Sequence, residues 1–434
     1  MHRSHLDLLA PRPRTRTWLL HRLSAGLGLA LLASVGVVNA TPTEQPGIQV
    51  TADAAPRTTA TEPPPLIDVY TMGPGADLFS QFGHAAICVS DAKDPQGRCY
   101  NYGTADFSTP GPLTWNFLRG RALFWVSVVP QPYMVALYAH EDRTLYRQRL
   151  PLPAAAAHQL AAKLHQADQR EATYYRYHHF RDNCTTRIRD LVDDATEGAL
   201  RKSSQTASDP PLRHYVQQGF DSSLPLLLLM DVLLGRAADP PSTRWQGMFL
   251  PELLREELTT QLGAPVVAIY TRQAPSSAGE ALLPRPVQPL RWRWMLPAVG
   301  ALLALWQLSQ VRADRLGKKS HRRLAQAAAG LVLGSFGLLC FGMFAVSVLP
   351  ELRYNEAVLV CLPTDILLLG LPLRLGRRYA QLRLCGLALV CLLSLLGVLL
   401  QPLGPVLLLC ALPLAALAFT RVTTETNESP TAHA

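Results

Sequence analysis

The sequence predicts an α+β domain followed by an α-helical transmembrane domain of about five helices. From residue 66 to about residue 270, short apolar segments alternate with Gly, Pro, Asp and Asn, which is typical of short strands and helices joined by turns. The last third contains apolar runs close to the ~20 residues that a helix needs to cross a bilayer. Only 17% of the 434 residues are charged, compared with about 25% in soluble globular proteins. Part of the chain is therefore adapted to lipid.

The formal net charge of +9 is unevenly distributed along the chain. Residues 1–40 carry +4, residues 41–290 carry −3 and residues 291–434 carry +8. The positive charge lies beside apolar runs, whereas the part that resembles a water-soluble domain is slightly acidic. This distribution argues against a nucleic-acid-binding protein, and no nucleic-acid partner is expected.

The first 40 residues are typical of a signal peptide. Four arginines precede an apolar run at residues 23–38, and the run ends on the small residues that favour cleavage. The alternative is an uncleaved anchor, because residues 19–40 are almost long enough to span a bilayer. Both interpretations export the residues that follow.

The exported part begins with a flexible linker at residues 41–65, which is rich in Thr, Pro and Ala. The folded domain is expected at residues 66–270, with strands at 67–72, 85–89 and 100–102 and helices at 154–168 and from about 184. Residues 224–234 are apolar but too short to span, so they predict a buried or an interfacial helix. A second linker is expected at residues 271–293.

Five apolar runs predict transmembrane helices at residues 294–311, 324–349, 357–373, 384–401 and 403–420. Basic residues cluster at 312–323 and 374–383, and these two segments are expected to be cytoplasmic loops. This topology places the domain at residues 66–270 outside and a tail at residues 421–434 in the cytoplasm, in agreement with the signal peptide.

Three of the eight cysteines, Cys88, Cys99 and Cys184, lie in the exported domain. Cys88 and Cys99 flank a segment of turn-forming residues, so they could face each other across two strands and form a disulfide. The alternative is that both are buried and reduced. In either case Cys184 is left as an unpaired thiol.

Cys184 and His84 are the candidate nucleophile and base. Asp182 or Asn183 can cap a helix and leave Cys184 in its first turn, where the helix dipole favours the thiolate. His84 enters a predicted strand directly after a glycine, and Cys–His pairs meet in space rather than in sequence. Without further knowledge, structural roles for a lone His and a lone Cys remain alternatives.

Asn101 is the candidate third member of a catalytic triad. If Cys88 faces Cys99, antiparallel pairing places Asn101 on the same face as His84, where it could hold the imidazole tautomer. Asp106 is the alternative third residue. The pair His178-His179 raises a metal-binding alternative, but no zinc-type spacing supports it, so neither a metal nor a cofactor is expected.

Four segments in this order resemble the periplasmic domain of the Lnb family of lipoprotein N-acyltransferases. They are YTMGPG at 70–75, FGHA at 82–85, YNYGTADF at 100–107 and DNCTTRIRD at 182–190. Shorter segments at 231–235, 248–251 and 355–356 also resemble that family. The family is similar to the permuted papain-like hydrolases, the NlpC/P60 and lecithin:retinol acyltransferase group, in which His precedes Cys and the cysteine follows an Asn.

The resemblance implies that Cys184 is the nucleophile and His84 the base. It also implies a multi-pass protein of the inner membrane whose catalytic domain lies in the periplasm and has a permuted papain-like fold. Its acyl donor would be a membrane phospholipid and its acceptor a lipoprotein N-terminus, joined through a thioester on the cysteine. The alternatives are a peptidase or amidase that acts on peptidoglycan, and a membrane receptor with an inactive domain.

Overall fold

Seven antiparallel strands form one sheet in the computed structural model, which describes residues 63–75, 77–169, 174–273 and 292–419. The strands are β1 (Leu66–Met72), β2 (His84–Ser90), β3 (Arg98–Thr104), β4 (Leu123–Pro130), β5 (Leu145–Arg149), β6 (Tyr175–Arg176) and β9 (Val266–Tyr270), and β7 (Ala207–Asp209) pairs separately with β8 (Ser242–Thr243). The order in the large sheet is β6-β4-β3-β2-β1-β5-β9. The three strands expected from the sequence are β1, β2 and β3, so they are confirmed, and they lie at the centre of the sheet.

Helices and the central strands share one apolar core. The helices of this part are α1 (Pro110–Leu118), α2 (Gln131–His140), α3 (Ala154–Gln169), α4 (Cys184–Ala195), α5 (Ala199–Ser203), α6 (Leu212–Gly219), α7 (Leu224–Leu233), α8 (Arg244–Gly247) and α9 (Pro251–Leu262). Ile87 and Tyr100 of the sheet pack with Leu160 of α3, Ile188 of α4 and Leu254 of α9, all at most 1% exposed. Burial of each such side chain stabilises the fold by roughly 1.5–3 kcal/mol. The mixed α/β class with an antiparallel sheet is thus confirmed.

A disulfide joins Cys88 of β2 to Cys99 of β3. The two residues are directly opposed in the antiparallel register. Ile87 and Tyr100 are the neighbouring opposed pair, and the pairing of β2 with β3 ends there. The bond fixes the register of the two strands. Cys184 is a free, buried cysteine.

The C-terminal third is built from long helices and differs from the expected five spans. Its helices are α10 (Met295–Arg315), α11 (Arg322–Val346), α12 (Pro350–Arg353), α13 (Leu373–Leu395) and α14 (Gly404–Phe419). Of the helices that the structure describes, α11 and α13 are each long and apolar enough to cross a membrane. The signal peptide, most of both linkers and the C-terminal tail lie outside the described residues.

The expected helix at residues 357–373 is wrong. Two short 3₁₀ helices, Glu356–Leu359 and Pro363–Leu369, occupy this segment instead. Pro363 lacks a backbone N–H, and it favours an extended conformation at Leu362, whose φ and ψ are −93° and 135°. The proline therefore interrupts a run that apolar composition alone would make helical.

The expected cytoplasmic loop at residues 374–383 is also wrong, because these residues form the first half of α13. Leu, Arg, Gln and Ala dominate the segment and are strong helix formers. A cluster of arginines is a signal for the cytoplasmic side of a membrane, but it does not predict the backbone conformation.

The 3₁₀ segment packs closely on one face of α11. Gly330, Gly334 and Gly337 recur at helical spacing, and at each of them a side chain would clash with residues 362–369. Backbone carbonyls that an α-helix would pair internally are satisfied by side chains instead. Gln326 Nε2 donates to Leu368 O and Leu371 O, at 3.1 and 2.7 Å.

A buried ion pair fixes the same segment to α13. Arg383 Nε donates to Asp365 Oδ1 at 2.7 Å and Arg383 Nη2 donates to Asp365 Oδ2 at 2.9 Å and to Val360 O at 2.7 Å. Tyr379 Oη donates a further hydrogen bond to Asp365. The buried charges are thus compensated by hydrogen bonds among Asp365, Arg383, Tyr379 and Val360 O, in apolar surroundings.

Replacing Arg383 with methionine should destabilise the protein by about 3–5 kcal/mol, because the Asp365 carboxylate would stay buried without its cation. Thermal unfolding in detergent measures the change. Arg378→Met is the matched control, since Arg378 is an exposed arginine of the same helix. The double variant Asp365→Leu/Arg383→Met should recover much of the loss. Equal unfolding temperatures for Arg383→Met and Arg378→Met would show that the ion pair contributes nothing.

Candidate active site

Cys184 is the first residue of α4, and Asn183 is the helix cap. Asn183 Oδ1 accepts a hydrogen bond from Thr186 N at 2.8 Å, and Asn183 N donates to Thr186 Oγ1 at 2.8 Å. The same side chain donates through Nδ2 to His179 O and Phe249 O, at 2.8 and 2.9 Å. Asn183 therefore fixes both the helix start and the preceding loop, which places the thiol at the positive end of the helix dipole.

His84 lies beside the buried Cys184 thiol and hydrogen bonds with it. Burial of the thiol raises its pKa, but the charge of His84 and its hydrogen bond lower the pKa more, with help from Ala85 N and the Thr185 hydroxyl. The resulting pKa of Cys184 is about 7, compared with an ordinary value of 9. At neutral pH a large fraction of Cys184 is the nucleophilic thiolate.

The position of His84 depends on Gly83. Gly83 has a φ of +77°, a conformation that L side chains rarely adopt, and a Cβ there would lie 2.6 Å from Met72 O. The His84 ring faces the Tyr138 ring, with the centroids 6.0 Å apart and the planes inclined by 28°. Arg143 covers the same tyrosine, 4.9 Å from its centroid. Tyr138 of α2 is thus one wall of the site.

Neither candidate third residue is hydrogen bonded to His84 within the described structure. Asn101 is buried on β3, where its Nδ2 donates weakly to Cys99 O at 3.4 Å and its Oδ1 has no hydrogen-bond partner among the residues that the structure describes. Asp106 is exposed and accepts hydrogen bonds from Ser108 in a local turn. The catalytic role of Asn101 stays a prediction, and the geometry of Asp106 does not favour it as the alternative.

Tyr175 lies beside Cys184 and was not identified from the sequence. A Cβ on Gly103, which has a φ of +89°, would lie 3.3 Å from Cys184 Cβ and 3.9 Å from Tyr175 Oη. The Tyr175 hydroxyl is buried and has no hydrogen-bond partner of good geometry among the described residues. Burial and the nearby Cys184 thiolate raise the pKa of this hydroxyl, so it stays protonated and able to donate. The sequence feature that could have identified Tyr175 is the aromatic-rich run at residues 174–180.

Arg187 holds the Tyr175 ring in place. Its guanidinium carbon lies 3.6 Å from the ring centroid. Arg187 is itself fixed by two hydrogen bonds to Asp182, at 2.6 and 2.9 Å. Asp182, which the sequence suggested as a helix cap, therefore orients an arginine and, through it, the tyrosine.

The loop before Cys184 is attached to α12. Arg181 Nη2 donates to Glu351 Oε1 at 2.6 Å, and His178 Nε2 lies 3.4 Å from Glu351 Oε2. Glu351 is only 2% exposed. His179 is instead buried against Phe82, Phe180 and Phe249, and burial lowers the pKa of His179 to about 3. The two histidines thus make different contacts.

Residues 54–218 match the family described as the Lnb N-terminal periplasmic domain. This part of the chain is therefore similar to the Lnb N-terminal domain, which supports the resemblance seen in the sequence. His84, Cys184, Tyr138 and Tyr175 all lie inside the Lnb domain, whereas Glu351 lies outside it. Comparison with curated proteins and with solved structures finds no significant match. With the apolar helices α11 and α13, the Lnb domain indicates a membrane protein that has a periplasmic domain.

Proposed function

We propose that this protein is a cysteine-dependent acyltransferase with a permuted papain-like, NlpC/P60-like domain. It transfers an acyl chain from a membrane phospholipid, through a thioester on Cys184, to the N-terminal amine of lipoproteins. The observation that carries the proposal is the contact of the loop before Cys184 with α12. Because α12 follows the apolar helix α11, the Arg181–Glu351 pair at 2.6 Å keeps the thiol close to the point where α11 would leave the bilayer.

The proposed membrane placement is multi-pass, in the inner membrane, with the Lnb domain in the periplasm. Basic residues at the end of α10 and the start of α11 favour the cytoplasm for that end of the bundle. The 3₁₀ segment follows α11 from Gly337 to Gly330, and its carbonyls are bonded by Gln326 and Arg383. Protein contacts of this kind are what allow backbone that is not α-helical at membrane depth, so residues 357–373 are proposed as a crossing without an α-helix.

In the first half-reaction His84 takes the proton of Cys184, and the thiolate attacks an ester carbonyl of the phospholipid. The C–O bond then breaks, and His84 returns the proton to the departing alcohol. The lysophospholipid departs, and the acyl group remains on Cys184 as a thioester. In the second half-reaction the lipoprotein α-amine attacks the thioester carbonyl. A C–N bond forms, the C–S bond breaks, and the amine proton passes through His84 to the restored thiol.

Tyr175 and the N-terminus of α4 are the proposed donors to the oxyanion that forms in both halves. Tyr175→Phe removes one donor and should lower kcat about 10²–10³-fold without changing the fold. Tyr174→Phe is the control, because Tyr174 is the adjacent tyrosine and is 59% exposed. The rate of thioester formation from labelled phospholipid measures the effect. A loss of less than ~3-fold in Tyr175→Phe would remove Tyr175 from the mechanism.

The full-length protein in vesicles, supplied with acyl-labelled phospholipid and a diacylated lipoprotein peptide, tests the reaction itself. We expect equal amounts of lysophospholipid and N-acylated peptide by mass spectrometry. Free fatty acid with no N-acylated peptide would indicate a lipase. Cleavage of peptidoglycan fragments with no lysophospholipid would favour the peptidoglycan enzyme and contradict the proposal.

A further inference from the structure

We propose that the C-terminal end of α1 is a second membrane contact, which lies in the periplasmic headgroup layer and binds anionic phospholipid. The surface consists of Trp115, Arg119, Arg121 and Val348, and we call it the α1 surface. The proposal rests on the proposed acyl transfer from phospholipid and names where the donor reaches the protein.

The α1 surface is attached directly to the end of an apolar helix. Ser347, the residue after α11, donates from Oγ to Leu118 O at 2.7 Å, and Val348 N donates to Arg119 O at 3.3 Å. A Cβ on Gly120 would lie 2.8 Å from the side chains of both Val348 and Leu349, so the two backbones are in close contact. The end of α1 is therefore at the level where α11 would emerge from the bilayer.

The side chains of the α1 surface suit a headgroup layer. Trp115 is 45% exposed and Val348 is 50% exposed, although both are apolar, and Arg121 is exposed beside them. Tryptophan and arginine are the residues that membrane interfaces favour, since the indole is amphipathic and the guanidinium binds phosphate. Arg119 stacks 5.7 Å from the Trp115 centroid, and its buried Nε has no hydrogen-bond partner within the described residues. Arg119 as a whole is half-buried, and its guanidinium is the proposed partner of a lipid phosphate.

The opposite face of α1 leads toward the nucleophile. Leu113 is buried in a cluster with Tyr175 and Phe124, and Phe117 packs against the same cluster. Tyr175 is the residue beside Cys184 described above. The α1 surface and the thiol are thus separated by α1 and one layer of aromatic side chains, on the order of the ~10 Å diameter of a helix. A lipid held through its phosphate at Arg119 would therefore lie on the side of the domain that carries α1 and the aromatic cluster with Tyr175.

The test compares two donors with the full-length protein in nanodiscs of phosphatidylglycerol or phosphatidylcholine. The first donor is acyl-labelled phosphatidylglycerol, and the second is a water-soluble p-nitrophenyl ester. For Trp115→Ala and for Arg119→Gln/Arg121→Gln, the ratio of lipid to soluble-ester activity should fall at least ~10-fold, through an increase in KM. Tyr133→Ala is the control, because Tyr133 is 42% exposed on α2. An unchanged ratio, from equal losses or from no loss, would overturn the proposal.

A second measurement does not depend on enzymatic activity. Brominated lipids should quench the part of the tryptophan fluorescence that Trp115→Phe removes, and more strongly when bromine is near the headgroup than when it is at the chain end. Absence of that quenching would overturn the membrane contact. Quenching without acyl transfer to the lipoprotein peptide would retain the membrane contact and reject the proposed function.

Discussion

Replacement of Cys184 with alanine should abolish acyl transfer, with a loss of at least ~10⁴-fold in kcat. The thioester is the only covalent link between donor and acceptor in the proposed reaction, and the other free cysteines of the described residues all lie at position 340 or beyond. The substitution removes one sulfur atom from a helix whose start is fixed by Asn183, so the fold should persist. Intact-protein mass spectrometry after incubation with phospholipid measures the acyl adduct directly.

Two further variants make the result of Cys184→Ala specific. Cys385→Ala removes an exposed cysteine of α13 and should leave the acyl adduct intact. Cys184→Ser keeps the shape of the site but offers a hydroxyl, which His84 does not ionise to the same extent, so transfer should be lost here too. An acyl adduct in Cys184→Ala equal to that of the unsubstituted protein would place the nucleophile elsewhere.

The elements that carry Cys184 and His84 could be predicted because their signals are local. Short segments between turn residues indicated β1, β2 and β3, and Asp182 or Asn183 as a helix cap indicated the start of α4. The opposition of Cys88 and Cys99 followed from their spacing around a turn. Each of these features depends on residues within about one element of one another.

The remaining parts of the site depend on contacts between distant segments. Glu351 reaches Arg181 across 170 positions, and Tyr175 of β6 meets Cys184 of α4 beside Gly103 of β3. Sequence patterns do not show which residues of distant segments lie close together. The prediction of a transmembrane helix at residues 357–373 was wrong for a different reason. Apolar composition does not distinguish an α-helix from a 3₁₀ segment whose carbonyls accept hydrogen bonds from Gln326 and Arg383.

Replacement of His84 with glutamine should raise the pKa of Cys184 from about 7 toward its ordinary value of 9. Burial of the thiol raises the pKa and would persist, whereas the charge and the hydrogen bond of the imidazole would be lost. These two contributions of His84 are the largest that lower the pKa, and those of Ala85 N and Thr185 are smaller. Because only the thiolate reacts, alkylation of Cys184 should be half-maximal near pH 7 in the unsubstituted protein and at a higher pH in the variant.

Iodoacetamide labelling of the peptide that contains Cys184, quantified by mass spectrometry from about pH 5 to 10, measures this shift. His158→Gln, an exposed histidine on α3, is the matched control and should keep the midpoint near pH 7. The acyl-transfer rate of His84→Gln should fall about 10²–10⁴-fold at neutral pH and recover only in part at high pH, since the variant also lacks the acid for the leaving alcohol. The folded thiol ionises below its unfolded value, so its contribution to stability is complete above pH 9 and is lost as the pH falls through 7. That pH dependence should weaken in His84→Gln, and a midpoint that stays near 7 would exclude His84 as the partner of Cys184.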